Sequence, residues 1–338
     1  MQRCIDLARL AGVEAAPNPM VGAVIVHNGN IISEGYHHKC GEAHAEVNAV
    51  NAVADKQLLT AATIYVSLEP CAHYGKTPPC ADLIIASRFK RVVVGCTDPF
   101  HEVAGKGIQK IREAGIEVTV GVLEQQCLQL NKRFFTFHRK QRPYIILKWA
   151  QTADGFIDSL RTGEEERKVN WISSPGTQSL VHQWRSEEQA ILVGWKTVEH
   201  DNPSLTVREV TGKNPLRVII DGQLKMPADS RVYADNEKTL ILNRVKDGTE
   251  GNTEYVKLPQ IDTGNIMKAL YDRDIISVFV EGGSRTIQHF LVDLAWDEAR
   301  VIVGKNTFRQ GVRAPKIAGV PDHCFAFAED TIYQYFRK

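Results

Sequence analysis

Short apolar runs rich in β-branched residues alternate with amphipathic stretches from one end of the chain to the other. GAVIV (22–26) and IISEG (31–35) flank HNGN, and Asn28-Gly29 between two such runs predicts a hairpin with a tight turn. A helix is then expected over about 43–54, a strand at TIYVSL (63–68), a helix at 80–87 and a strand at RVVVGC (91–96). A helix around 106–114, a strand at IEVTVG (116–121) and a helix reaching about Phe135 complete the series. One hairpin followed by repeated strand–helix units implies a mostly parallel sheet enclosed by helices.

HRKQRP (138–143) is basic, ends in proline and has no apolar period, which marks it as a domain boundary. The pattern restarts straight after it. Strands are expected at YIILKWA (144–150), AILVG (190–194), LRVIID (216–221), TLILN (239–243), SVFVEG (277–282) and ARVIVG (299–304). CFAFA and TIYQYF read as a closing antiparallel hairpin. The fold class is therefore α/β: two three-layer αβα domains, over 1–142 and 143–338, since 338 residues suit two ordinary cores better than one.

Composition narrows the function classes. Hydrophobic residues at 43% and charged residues at 24% describe a globular protein rather than a disordered one. A net charge of +1 offers no broad attraction to a nucleic-acid backbone, which leaves at most a local basic pocket. No apolar run approaches the ~20 residues a spanning helix needs, so no membrane partner is expected. MQRCIDLARLAG reads as a short amphipathic helix rather than a signal peptide, and its abrupt start suggests a few further residues before it. Seven scattered cysteines and no export signal place the protein in the cytoplasm, where clustered thiols bind metal or catalyse rather than form disulfides.

The sharpest constellation is His44-Ala45-Glu46, Glu69-Pro70-Cys71 and Pro78-Pro79-Cys80. The imidazole of His44 and the thiolates of Cys71 and Cys80 make a three-ligand zinc set that leaves the fourth position to water, as catalytic sites do. Zinc lowers the pKa of that water to about 7. Glu46 is the candidate proton shuttle between the water and a departing amine. Residues two apart in a helix point ~200° from each other, so His44 and Glu46 converge only if the metal sits over the helix end. CAHYGKTPPC is too polar and turn-rich to be core, and the redox argument disfavours a disulfide across it.

His-x-Glu followed by Pro-Cys is the zinc-deaminase signature, normally with Cys-x-x-Cys. Here eight residues separate the cysteines, which argues against an ordinary cytidine or nucleic-acid deaminase. The loop EPCAHYGKTPPC, the run Pro17-Asn18-Pro19-Met20-Val21-Gly22 and Gly35-Tyr36-His37 with Gly41-Glu42-Ala43-His44-Ala45-Glu46 point elsewhere. They resemble the deaminase half of the bifunctional riboflavin-biosynthesis diaminohydroxyphosphoribosylaminopyrimidine deaminase/5-amino-6-(5-phosphoribosylamino)uracil reductases. The resemblance implies a cytidine-deaminase-like fold and substrate contacts from Asn18, His37, His73 and Lys76.

The second half says less by itself. Val280-Glu281-Gly282-Gly283-Ser284 joins an apolar strand to a helix, which suits either phosphate binding or tight packing, and it is not a GxGxxG. Lys148, Thr152-Ala153-Asp154-Gly155, Trp171-Ile172-Ser173-Ser174, Asp201-Asn202-Pro203-Ser204-Leu205-Thr206-Val207-Arg208 and Val280–Gly283 are similar, in the same order, to the reductase half of that family. That implies a dihydrofolate-reductase-like fold using NADPH. Carried over by position, Ala150, Trp171, Thr197, Asp201, Gly222 and the turn Gly283, Ser284, Arg285, Thr286, Ile287, Gln288, His289 border the cofactor. Arg185, Leu205, Arg208 and Glu281 border the substrate, with Arg185 and Arg208 as a fork for its ribose phosphate.

Two departures stand out. DSLRTGEEERKVN is longer and more charged than is usual there and is expected to order with ligand, and Val169 stands where a serine is common. The expected partner is a phosphoribosyl-pyrimidine, and the expected assembly a homodimer or homotetramer. A deaminase of another free base and a tRNA-editing deaminase are the alternatives, the latter disfavoured by the missing basic surface.

Overall fold

Asn28 and Gly29 both take left-handed backbone conformations, φ 49° and 76°, as a two-residue hairpin turn of type I′ requires. They join β1 (Gly22–His27) to β2 (Asn30–Tyr36) in an antiparallel pair. The computed structural model describes residues 1–74, 78–99, 104–160 and 169–337; Lys76 and most of the charged loop after Asp158 lie outside them. The chain divides into two units, Met1–Gln141 and Arg142–Lys338.

In the first unit β3 (Thr63–Leu68), β4 (Arg91–Cys96) and β5 (Glu117–Val120) extend the hairpin into a sheet of order β2-β1-β3-β4-β5 among the described residues. β3, β4 and β5 run parallel. Helices α1 (Gln2–Arg9), α2 (Ala45–Ala52), α3 (Cys80–Ala86), α4 (Lys106–Glu113), α5 (Glu124–Leu130) and α6 (Lys132–Lys140) cover it. Ile64, Val66, Val92 and Val94 pack with Ala49, Ile84 and Ile111 of α2, α3 and α4. On the opposite face Val24 and Tyr65 meet Cys4 and Leu7 of α1, and at the carboxyl ends of β3 and β4 Leu68 and Cys96 cluster with Ile5, Cys127 and Phe135 of α1, α5 and α6. Strands sandwiched in this way are apolar throughout, which is why they read as runs rather than as alternations. HRKQRP straddles the break between the units: α6 includes His138–Lys140 and stops at Gln141, whose φ of 51° is left-handed. Pro143 then forbids continuation.

In the second unit ten strands among the described residues form one sheet. They are β6 (Tyr144–Gln151), β8 (Ala190–Gly194), β9 (Leu216–Ile220), β10 (Thr239–Asn243), β11 (Gly248–Glu250), β12 (Thr253–Lys257), β13 (Ser277–Val280), β14 (Glu298–Val303), β16 (His323–Phe327) and β17 (Asp330–Phe336). The order is β11-β12-β10-β9-β8-β13-β6-β14-β17-β16, parallel from β12 to β14 and antiparallel at both edges. A small ladder pairs β7 (Phe156–Asp158) with β15 (Val312–Arg313). Ile145 and Leu147 point to a core with α9 (Thr263–Tyr271) and α10 (Ser284–Val292). Ile146 and Phe279 point the other way, to Val181 and Trp184 of α7 (Pro175–Ser186), while Val198 of α8 (Trp195–Asp201) caps Ile191 and Ile219. The strand expected at 277–282 ends at Val280; Glu281 still donates its backbone N–H to Leu192 O of β8 at 3.0 Å, and its side chain enters an ion pair described below. Among the described residues no helix is long and apolar enough to cross a membrane.

Candidate active sites

His44 is the N-cap of α2, with extended φ and ψ of −70° and 164°, not a residue inside the helix. Its ring therefore swings over the helix end, and Glu46 in the first turn comes to the same place. Cys80 opens α3 after Pro79, and Cys71 follows β3 through Glu69 and Pro70. His44 Nδ1 lies 3.3 Å from Cys80 Sγ and 3.6 Å from Cys71 Sγ, with all three ligand atoms within 4.8 Å of one another. Tetrahedral zinc with bonds of 2.0–2.3 Å needs ligand atoms about 3.5 Å apart, so the trio fits that ion. The backbone N–H of Cys80 donates to Cys71 Sγ at 3.2 Å. Hydrogen bonding from Cys80 pulls the Cys71 thiol down to about 4 against the effect of burial, and His44 adds to the pull. Burial raises the Glu46 carboxyl, 3% exposed, above the usual range, as suits a group that accepts and returns a proton.

The neighbouring polar groups are held by the backbone. His37 donates from Nδ1 to the carbonyl of Ala43 at 3.1 Å, so its Nε2 is the acceptor for the Asn18 amide at 3.1 Å. That fixes the amide of Asn18 and places the His37 ring edge-on to His44, centroids 5.4 Å apart. His73 is exposed on the loop after Cys71, and Lys76 lies outside the described residues.

Two residues that sequence reasoning missed hold this end of the sheet. Asn131, 2% exposed, accepts the Met20 backbone N–H at Oδ1 and donates from Nδ2 to Met20 O, at 2.8 and 2.9 Å, and so ties down the Pro17–Gly22 run. Glu69, within the motif that supplies Cys71, is not a ligand. Its carboxylate accepts the backbone N–H groups of Asp98, Gly105, Gly107 and Ile108 at 2.9–3.2 Å. A buried acid just before Pro-Cys was the only signal available.

In the second unit a cavity of about 1440 Å³ opens at the carboxyl ends of the parallel strands, where open α/β sheets bind ligands. Arg185, Leu205, Arg208 and Glu281 line it, as do Ala150, Trp171, Thr197, Asp201 and Gly222. From the turn after β13, so do Gly283, Ser284, Arg285, Thr286 and His289. Ile287 instead sits fully buried in the core, and Gln288 accepts Lys316 N at 3.4 Å; neither lines the cavity. Every third or fourth residue of a helix faces inward, so a seven-residue run cannot all face one pocket. α10 starts at this wall, and its free N–H groups favour an anion.

The two arginines of the expected fork both line the cavity and have different partners. Arg185 donates from Nε and Nη2 to the two oxygens of Glu281 at 2.5 and 3.0 Å, and from Nη1 to Thr206 O at 3.3 Å. Lys148 Nζ reaches the same carboxylate at 3.2 Å. Burial would raise the Glu281 carboxyl, but Arg185 and Lys148 bring it down to about 2. Arg185 is thus committed to Glu281, while Arg208 is exposed at the rim. His182, a further lining residue that sequence reasoning missed, is 6% exposed, and its Nδ1 accepts the Arg208 backbone N–H at 3.1 Å.

Residues 1–96 match the cytidine and deoxycytidylate deaminase zinc-binding region, and residues 143–308 match the RibD C-terminal domain. The riboflavin biosynthesis protein RibD of Aquifex aeolicus is 41% identical over 319 residues, 92% of this chain and 88% of that protein. The chain belongs to the RibD family. RibD of Escherichia coli is 35% identical over 302 residues, 84% of this chain and 80% of that one. A solved structure from Thermotoga maritima, a diaminohydroxyphosphoribosylaminopyrimidine deaminase/5-amino-6-(5-phosphoribosylamino)uracil reductase, has TM-score 0.88 and 36% identity, over 99% of this chain and 96% of that one. Acinetobacter baumannii RibD gives TM-score 0.88 at 31% identity over 99% and 97%. Like RibD, this chain is bifunctional: a zinc-type deaminase unit precedes a reductase unit with a dihydrofolate-reductase-like fold.

Proposed function

We propose that this RibD-family chain catalyses two successive steps on one phosphoribosyl-pyrimidine, deamination in residues 1–142 and NADPH-dependent reduction in residues 143–338. The first converts 2,5-diamino-6-(5-phosphoribosylamino)pyrimidin-4(3H)-one to 5-amino-6-(5-phosphoribosylamino)uracil. The second reduces its ribose to ribityl. The observation that carries the reading is the His44, Cys71 and Cys80 trio beside buried Glu46, in the same chain as a strand-end cavity with an ionised Glu281.

Zinc on His44, Cys71 and Cys80 would lower the pKa of a water in the fourth position to about 7. Glu46 is placed to take a proton from the attacking water and return it to the departing amine, so that one water would enter and one ammonia would leave. Asn18, its amide fixed by His37, reads a ring edge; His73 and Lys76 are assigned to the same substrate. In the reductase unit NADPH would supply the hydride. The α10 start and Thr197, Asp201, Gly222, Ala150 and Trp171 bind the cofactor, while Leu205, Arg208 and Glu281 orient the ribotide, with Arg185 acting through Glu281. A homo-oligomer fits β16, an edge strand exposed along its whole length.

The test is to supply the diamino ribotide to the full chain and follow ammonia and NADPH absorbance together. One NADPH oxidised per deaminated product is expected. Ammonia release with no NADPH consumption would reduce the second unit to a binding module.

A further inference from the structure

His182 lies three residues before Arg185 on α7, so both side chains leave the same helix face toward the cavity. Its Nδ1 is occupied by the Arg208 backbone N–H at 3.1 Å, so the proton of the neutral ring sits on Nε2. Nε2 has no hydrogen-bond partner among the described residues. A polar atom on a side chain only 6% exposed, with an open cavity beside it, is a donor waiting for a ligand acceptor.

The surroundings say which acceptor. Arg185, Arg208, Glu209 and Glu281 are the charged groups acting on the ring, and burial together with the two arginines pushes the imidazole down to about 4. The ring is therefore a neutral donor in a cationic field, and an anion is what the field lacks. Arg185 cannot offer that anion its whole fork, because Glu281 and Thr206 O take three of its five N–H groups, on Nε, Nη1 and Nη2. Arg208 offers more of its fork, since its described contact is a single hydrogen bond to Thr206 Oγ1 at 3.1 Å.

We propose that His182 adds an arm to the phosphate grip beside Arg208: Nε2–H donates to a phosphate oxygen of the ribotide while Nδ1 holds the Arg208 backbone over the same group. This rests on the reductase reading above. The phosphate could equally belong to the cofactor, so the experiment separates the two sources.

His182→Asn keeps an acceptor near the Nδ1 position and loses the far donor; His182→Gln keeps a donor near Nε2. In the full chain, His182→Asn is expected to raise KM for the deaminated ribotide by ~10–100-fold with little change in kcat, the loss of one hydrogen bond to a charged group. KM for the dephosphorylated riboside should not move, and His182→Gln should restore part of the ribotide KM. Equal losses on ribotide and riboside would make His182 a packing residue and overturn the proposal. So would a KM change for NADPH absent with NADH, which assigns the phosphate to the cofactor. Calorimetric binding of ribose 5-phosphate against ribose tests the same anion grip without turnover. A wild type that reduces no ribotide sinks the reductase reading alone, while weaker binding of ribose 5-phosphate to His182→Asn still supports the grip and unchanged binding rejects it.

Discussion

Glu69 Oε1 accepts the backbone N–H of Gly107 at 3.0 Å, and the same oxygen takes Ile108 N at 3.2 Å, so the strand that leads to Cys71 caps the start of α4. The approach is close enough that a Cβ at Gly107 would lie 1.9 Å from the carbonyl oxygen of Pro70. A carboxylate that satisfies four orphan donors and faces the positive end of a helix dipole anchors the ligand loop.

Glu69→Gln should therefore destabilise the deaminase unit by about 2–4 kcal/mol, because an amide presents one acceptor and turns its NH₂ on donors. Gly107→Ala should act in the same direction, since its contact is backbone. Urea unfolding followed in that unit reads the effect. A midpoint unchanged in both variants would show that this contact does not hold the loop.

The metal trio predicts about one zinc per chain by elemental analysis. Cys71→Ser and Cys80→Ser should each lose most of it, because a hydroxyl is a far poorer zinc ligand than a thiolate. Chelation should abolish ammonia release and leave reduction of the deaminated ribotide in place. An active, zinc-free wild type ends this assignment.

Glu46→Gln keeps the shape and hydrogen bonding but cannot take the proton. Ammonia release should fall by at least ~10²-fold with zinc retained. The same protein should still oxidise NADPH when given the already deaminated ribotide, because Glu46 and Glu281 belong to different units. Loss of both activities together would mean that the two units do not work independently.

Glu281 yields a pH dependence with a definite sign. Its folded pKa of about 2 is below the ordinary 4.5, so the ion pair adds stability above pH 4.5 and loses it as pH falls through 2. The side chain is 9% exposed, and the shift corresponds to a contribution on the order of 3 kcal/mol. The stability gap between wild type and Glu281→Gln should be full at pH 7 and should close between pH 5 and pH 2. A gap constant over that range would falsify the ion-pair account.

What the sequence determined by itself is whatever depends on near neighbours. Asn28-Gly29 implies its turn because two adjacent residues must take positive φ, and the buried parallel strands show as apolar runs because both faces are covered. His44, Cys71, Cys80 and Glu46 were readable because zinc chemistry demands those residue types, whatever the fold around them. The tertiary structure alone decided which partner each long polar side chain takes. Arg185 and Arg208 read as a matched pair; in the fold Glu281, 96 residues away, pairs with Arg185, and His182 lines the same cavity. Glu69 finds donors 29 to 39 residues downstream, and Asn131 finds Met20 across 111. A buried charge must be paired wherever the packed chain brings a partner within about 3 Å, and that proximity is set by how the layers close, not by order along the chain.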